Sequence, residues 1–154
     1  MSIILIILPG MYFFFFEFNE LPLKERILVS IFQSITPRTA GFNTVNLNGV
    51  SEVGLIILVI LMLIGGSPGS TAGGMKTSTI AVICSSIISV FKNKGNAELF
   101  RKRISDENVK KAFTIFFLYL FIFLFSGLII SKIENVSVLS GLFETASAIG
   151  TVGL

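Results

Sequence analysis

Histidine and tryptophan are absent from this 154-residue chain, and cysteine occurs once. Without histidine there is no common metal-ligating or acid/base imidazole, and a lone Cys84 forms no intrachain disulfide and reads as a packing residue. Charged residues make up 14% of the chain, against about 25% in soluble domains. No carboxylate pair, metal cluster or nucleophile with an adjacent base is visible, so an enzyme is not expected. What fills the space instead is apolar: 53% hydrophobic residues, 16 of them Phe. The composition is that of an all-α integral membrane protein.

Taken in order, residues 1–16 are uncharged and lack both a basic leader and a small-residue cleavage site, so a membrane helix kinked at Pro9-Gly10 is expected rather than a removable signal. Glu17, Asn19 and Glu20 end it. Ile27, Leu28, Ile31, Phe32 and Ile35 then repeat at helical spacing over 25–36. Twelve residues rise about 18 Å, well short of the ~30 Å hydrocarbon core, so this helix should enter the membrane and stop. The clearest span is Ala112 to Ser131, twenty residues without a charge, followed by a second short segment, Val138 to Ile149.

No charge interrupts Val53 to Met75, yet the second half of that run is Gly65-Gly66-Ser67-Pro68-Gly69-Ser70-Thr71-Ala72-Gly73-Gly74. Non-helical backbone at membrane depth is tolerated only where protein buries it or a watery cavity solvates it. An unbroken helix over 52–92 would measure about 60 Å, twice the requirement. A broken helix folded around an intramembrane loop fits better. Between Lys92 and Lys111 lie seven of the twelve basic residues. Between two membrane segments this run marks a cytoplasmic loop by the positive-inside rule, rather than a nucleic-acid patch.

A shift of 112 residues superposes Met1–Phe42 on Phe113–Leu154, matching long helix with long helix and Thr39-Ala40-Gly41 with Thr151-Val152-Gly153. Internal repeats typify transport proteins, whose sites lie where repeats meet. The tripeptide occurs a third time, at Thr71-Ala72-Gly73, so its sequence alone says little. Its position says more. Twice it follows a helix too short to span, where the helix's carbonyl end favours a mid-membrane cation and a glycine lets successive carbonyls turn toward one axis.

Three stretches, Thr36 to Thr44, Gly65 to Thr77 and Ser147 to Leu154, resemble signatures of the Trk/Ktr/HKT superfamily of potassium transporters, and the likeness covers nearly the whole chain. The resemblance implies four units of helix, re-entrant pore helix, filter loop and helix around one potassium-channel-like pore. Residues 1–92 would be the third unit, with pore helix 25–36, filter 37–43 and broken helix 52–92. Residues 93–111 would be the basic loop. Residues 112–154 would be most of the fourth unit, with helix 112–131, pore helix 138–149 and filter 150–154. Carried over by position, Thr39, Ala40, Gly41 and Phe42, with Thr151, Val152, Gly153 and Leu154, would line the filter, and potassium would sit at Thr39, Ala40, Thr151 and Val152. The loop Gly65 to Gly74 would gate it. The resemblance implies uptake of K+, with Na+ as a second candidate ion. The implied partners are the remaining repeats of a longer parent chain, a second copy, a cytosolic nucleotide-binding ring subunit and membrane lipid, with no nucleic acid. Localisation would be the cytoplasmic membrane, crossed several times. Phe42-Asn43 and Leu154 depart from the aromatic-glycine ending of a potassium-channel filter, implying fewer coordination sites.

Several charges have two readings. Lys76 is either an electrostatic barrier or latch for the loop, or a residue that caps the carbonyls of the broken helix or snorkels toward the cytoplasm. Arg38 is expected to point away from the ion and bond pore-helix carbonyls or a carboxylate. Glu17, Glu20 and Glu52 read as solvated helix ends, and Glu144 as a residue with a buried partner, although all four could concentrate cations. Two other functions compete. Gly69 to Thr77 approaches the phosphate-cradling loop of nucleotide hydrolases, but Met75 intervenes before Lys76-Thr77 and that loop needs a preceding strand. A non-conducting accessory membrane subunit would explain the spans but not two threonine-glycine turns in register.

Overall fold

The computed structural model describes residues 2–69, 73–93, 96–99 and 102–154, with the side chain of Asn48 outside that set. Helix α1 covers Ile4–Tyr12, α2 Leu23–Ile35, α3 Glu52–Leu63, α4 Thr77–Phe91, α5 Asp106–Glu134 and α6 Val138–Gly150. A two-residue antiparallel ribbon, β1 Glu98–Leu99 with β2 Lys102–Arg103, sits in the basic loop and is a small departure from the all-helical expectation.

Among the described residues α5 alone is long and apolar enough to cross a membrane, and only 11% of its most apolar window is buried. A soluble core helix would be covered. Here Phe117, Leu118, Phe121 and Phe125 face outward, as lipid-facing residues do. The helix begins earlier than the apolar run because Ser105 caps it through the Asn108 amide (3.4 Å). Asp106 and Glu107 fill the first turn, and Lys111 pairs with Glu107 at 2.6 Å. Asn135, in the left-handed conformation, ends it.

α1 does not break at Pro9. The irregularity is a π-helical turn over Phe13–Glu17, closed by the Phe18 amide on the Phe13 carbonyl (3.0 Å), and the extra residue swings Phe13 into full burial. Arg26 at the start of α2 donates to the Phe14 carbonyl at 2.6 Å and lies 4.2 Å over that ring.

α2 is turned inside out relative to a soluble helix. Ser30, Gln33 and Ser34 are buried, while Ile27, Leu28, Ile31 and Ile35 are exposed. Ser30 and Ser34 return their hydroxyls to the Arg26 and Ile31 carbonyls. The close approach of α5 and α6 uses small residues: a Cβ on Gly141 would lie 2.7 Å from the Gly127 carbonyl oxygen. α6 in turn packs on α3, around a core of Phe13, Leu58, Met62, Phe123, Ala146 and Val152. In both helix pairs, α1–α2 and α5–α6, the second helix has 13 residues, whereas the first differs: α1 has 9 residues continued by the five-residue π turn, and α5 has 29.

Candidate ion site at two left-handed turns

Each 13-residue helix ends in a turn that reverses the chain. Thr39 and Gly41 have φ of 72° and 68°, and Thr151 and Gly153 have 54° and 86°. Ala40 and Val152 between them are not left-handed, so positive and negative φ alternate in both turns. Such alternation brings successive carbonyls toward one side, which neither a helix nor a regular strand does. For β-branched threonine a positive φ costs about 1–3 kcal/mol and persists only where surrounding bonds enforce it.

Those bonds come from the helix just before each turn. Thr36, almost fully buried, donates its hydroxyl to the Phe42 carbonyl at 2.6 Å, and its own carbonyl accepts from the Ala40 and Gly41 amides. Ser147 does more. Its Oγ accepts from the Gly153 and Leu154 amides (3.1 and 3.0 Å) and donates to the Leu154 carbonyl (3.0 Å), while its carbonyl holds the Val152 amide. Neither residue stands out in the sequence, although a hydroxyl three or four positions before each Thr-x-Gly is a readable signal.

The two turns touch. A Cβ on Gly41 would collide with the Val152 carbonyl oxygen, so only glycine allows the approach. Val152 is buried and Thr151 and Gly153 are exposed, while Ala40 and Phe42 are exposed and Thr39 is half-buried. Beside the second turn lies an open pocket of about 430 Å³ lined by Glu144, Ser147, Ala148 and Thr151 to Leu154.

The glycine-rich loop abuts the same turn. Its ends are tied side by side by a parallel bridge between Ile64 and Met75, with the Gly65 amide on the Met75 carbonyl (2.9 Å) and the Met75 amide on the Leu63 carbonyl (3.0 Å). Gly65 and Gly66 are buried, Ser67, Pro68 and Gly69 exposed, and a Cβ at Gly65 would strike the Gly73 carbonyl. At the far end the Gly73 amide donates to Thr151 Oγ1 (3.1 Å), and Gly74 has φ of 74°. Ser70, Thr71 and Ala72, also expected in this loop, lie outside the described residues, as do Lys94 and Arg101 of the basic run. The element before the loop is helix α3, not the strand that a phosphate-cradling loop requires.

The charged residues depart from expectation in several places. Glu17 is not a solvated helix end: its carboxylate accepts from the Ser51 amide (3.1 Å), the Ser51 hydroxyl and the Tyr12 hydroxyl (3.2 Å), bracing the N-terminus of α3. A negative charge is favoured there by the helix dipole. Glu20 and Glu52 are exposed, as helix ends are. Glu144 is exposed rather than buried with a partner, because its face of α6 opens onto the pocket. Arg38 Nε is buried without a hydrogen-bond partner among the described residues, and both amide atoms of Gln33 share that condition. Lys76 is half-buried at the N-cap position of α4. Cys84, expected to pack, is exposed on α4.

One helix long and apolar enough to span a membrane, two short helices ending in matched left-handed turns, and a backbone loop against one of them are the features of a helical membrane protein. The chain belongs to the TrkH family of cation transport proteins, whose match covers residues 4–154. It is 40% identical over 134 residues to the potassium/sodium uptake protein NtpJ of Enterococcus hirae, covering 84% of this chain and 30% of that protein. It is 36% identical over 136 residues to the Ktr system potassium uptake protein B of Bacillus subtilis, covering 88% and 31%. For the protein of the same name from Vibrio alginolyticus the figures are 35% over 127 residues, 82% and 28%. The chain thus spans about 30% of the length of these relatives. Family and relatives are transporters by name, not enzymes.

Proposed function

We propose that this chain supplies part of the pore of a potassium uptake system in the cytoplasmic membrane. The observation that carries the reading is the matched alternation of φ at 39–41 and 151–153, with Gly41 set against the Val152 carbonyl. Backbone carbonyls of Thr39 to Phe42 and of Thr151 to Leu154 replace part of the ion's water shell, and Thr39, Ala40, Thr151 and Val152 are the potassium ligands. The two short helices end at these turns and lend them the negative ends of their dipoles.

Residues 65–74 act as the gate, because the Gly73–Thr151 bond couples that loop to the second turn. Potassium as cargo is supported by the relatives' names, and NtpJ's name adds sodium. Residues 1–92 and 112–154 act as the third and incomplete fourth units of a multi-pass pore, joined by a cytoplasmic loop over 93–111. The remaining units belong to the parent chain, a second copy completes a homodimer, and a cytosolic nucleotide-binding subunit regulates it. The word "system" in the Ktr names supports a further component.

The test is potassium uptake in cells deprived of their own uptake systems, comparing these 154 residues with the parent gene extended at both ends. Uptake by the extended form alone is expected. No uptake by either form would favour the accessory-subunit reading, and uptake by the short form would overturn the four-unit assembly.

A further inference from the structure

The alternating turns account for Thr151 to Leu154 but leave unused the carboxylate beside them. Glu144, Ser147 and Ala148 recur at three- and four-residue intervals, so they share one face of α6, and that face lines the open pocket together with Thr151 to Leu154. Glu144 is exposed there and is the only charged residue in Val138–Gly150. The position that matches it under the 112-residue shift is Phe32, so the charge belongs to one of the two turns only.

Its height along the path follows from two hydrogen-bond sets. The loop meets the turn at its start, through Gly73 and Thr151. Ser147 meets the turn at its end, through Gly153 and Leu154, and Glu144 lies about one helical turn beyond Ser147. The carboxylate is therefore on the side of the turn away from the loop. From the loop, α4 leads to Phe91 and the basic run that follows it, so the opposite side is the outer one.

We propose that Glu144 is a cation-recruiting residue at the outer mouth of this pathway, raising the local concentration of monovalent alkali cations before they reach the Thr151 to Leu154 carbonyls. The inference rests on the ion-path reading above. A single fixed charge in a low-dielectric recess focuses its field into the opening, and its influence on capture falls as salt screens it. It acts on entry, not on dehydration, so it sets the concentration dependence of uptake rather than its ceiling.

The experiment measures potassium uptake by the parent transporter carrying Glu144→Gln, with membrane abundance quantified alongside. The KM for potassium is expected to rise about three- to tenfold at low ionic strength, with the maximal rate per transporter little changed. Choline chloride should shrink that difference. To separate the charge from packing, a second variant, Glu144→Gln with Ala148→Glu, returns a carboxylate to the same pocket one turn along and should bring the KM back down. An unchanged KM, or a raised KM that the relocated charge fails to lower, overturns the recruiting role while uptake itself persists. Absence of potassium uptake in the unsubstituted parent would instead overturn the pathway reading on which it rests.

Discussion

The turn at 39–42 and the turn at 151–154 share a conformation but not a support. Among the described residues the first is held by one side-chain bond, from Thr36 to the Phe42 carbonyl, and its Phe42 side chain is 70% exposed. The second is gripped by three bonds to a single buried Ser147 hydroxyl, has Val152 in the core, and carries the loop on Thr151. The same strained φ pattern can thus be enforced lightly or heavily. The heavier enforcement falls on the turn to which the loop is coupled, where a movement at Gly73 would otherwise distort the turn itself.

Removing the supports should separate the two. Ser147→Ala leaves the Gly153 and Leu154 amides and the Leu154 carbonyl without their shared partner, at about 0.5–1.5 kcal/mol for each bond. Thr36→Val removes one bond at about 1 kcal/mol. Thermal unfolding of the purified parent transporter should show the larger fall in midpoint for Ser147→Ala, and equal falls would erase the difference in support. A smaller effect on stability is expected from Thr151→Val, which keeps the β-branched shape and breaks only the bond from the Gly73 amide, about 1 kcal/mol. Under the proposed gating role of residues 65–74, its consequence should appear as uptake less dependent on the proposed regulatory subunit. Unaltered regulation would detach the loop from this turn.

Much of this arrangement can be read from residue order. The charge-free stretch of α5, the two short helices and the glycine-rich break after α3 follow from length and hydropathy, and the tripeptide positions locate the turns. What escaped depends on contacts across the chain. Nothing local announces that Phe13–Glu17 adopts a π turn, in which Phe13 is buried, the Phe14 carbonyl accepts from Arg26 and Glu17 accepts from Ser51. Glu17 looks like any acidic helix end until Ser51, 34 residues on, is brought to it. Glu144, for which a buried partner is expected from its place within a re-entrant helix, is exposed on the face of α6 beside the turn. The apolar periodicity of α2 was legible, but not that its apolar side faces outward while Ser30, Gln33 and Ser34 face in.

The central claim is that the two turns act on one ion, and the glycines test it most directly. Each of Gly41→Ser and Gly153→Ser forces a side chain onto a left-handed residue, and the first also drives it against the Val152 carbonyl. Rubidium and sodium uptake through the parent transporter, measured in parallel for both variants, should show potassium-like selectivity reduced or uptake lost in each, with the greater loss for Gly41→Ser. Normal selectivity and normal uptake in both variants would contradict the account.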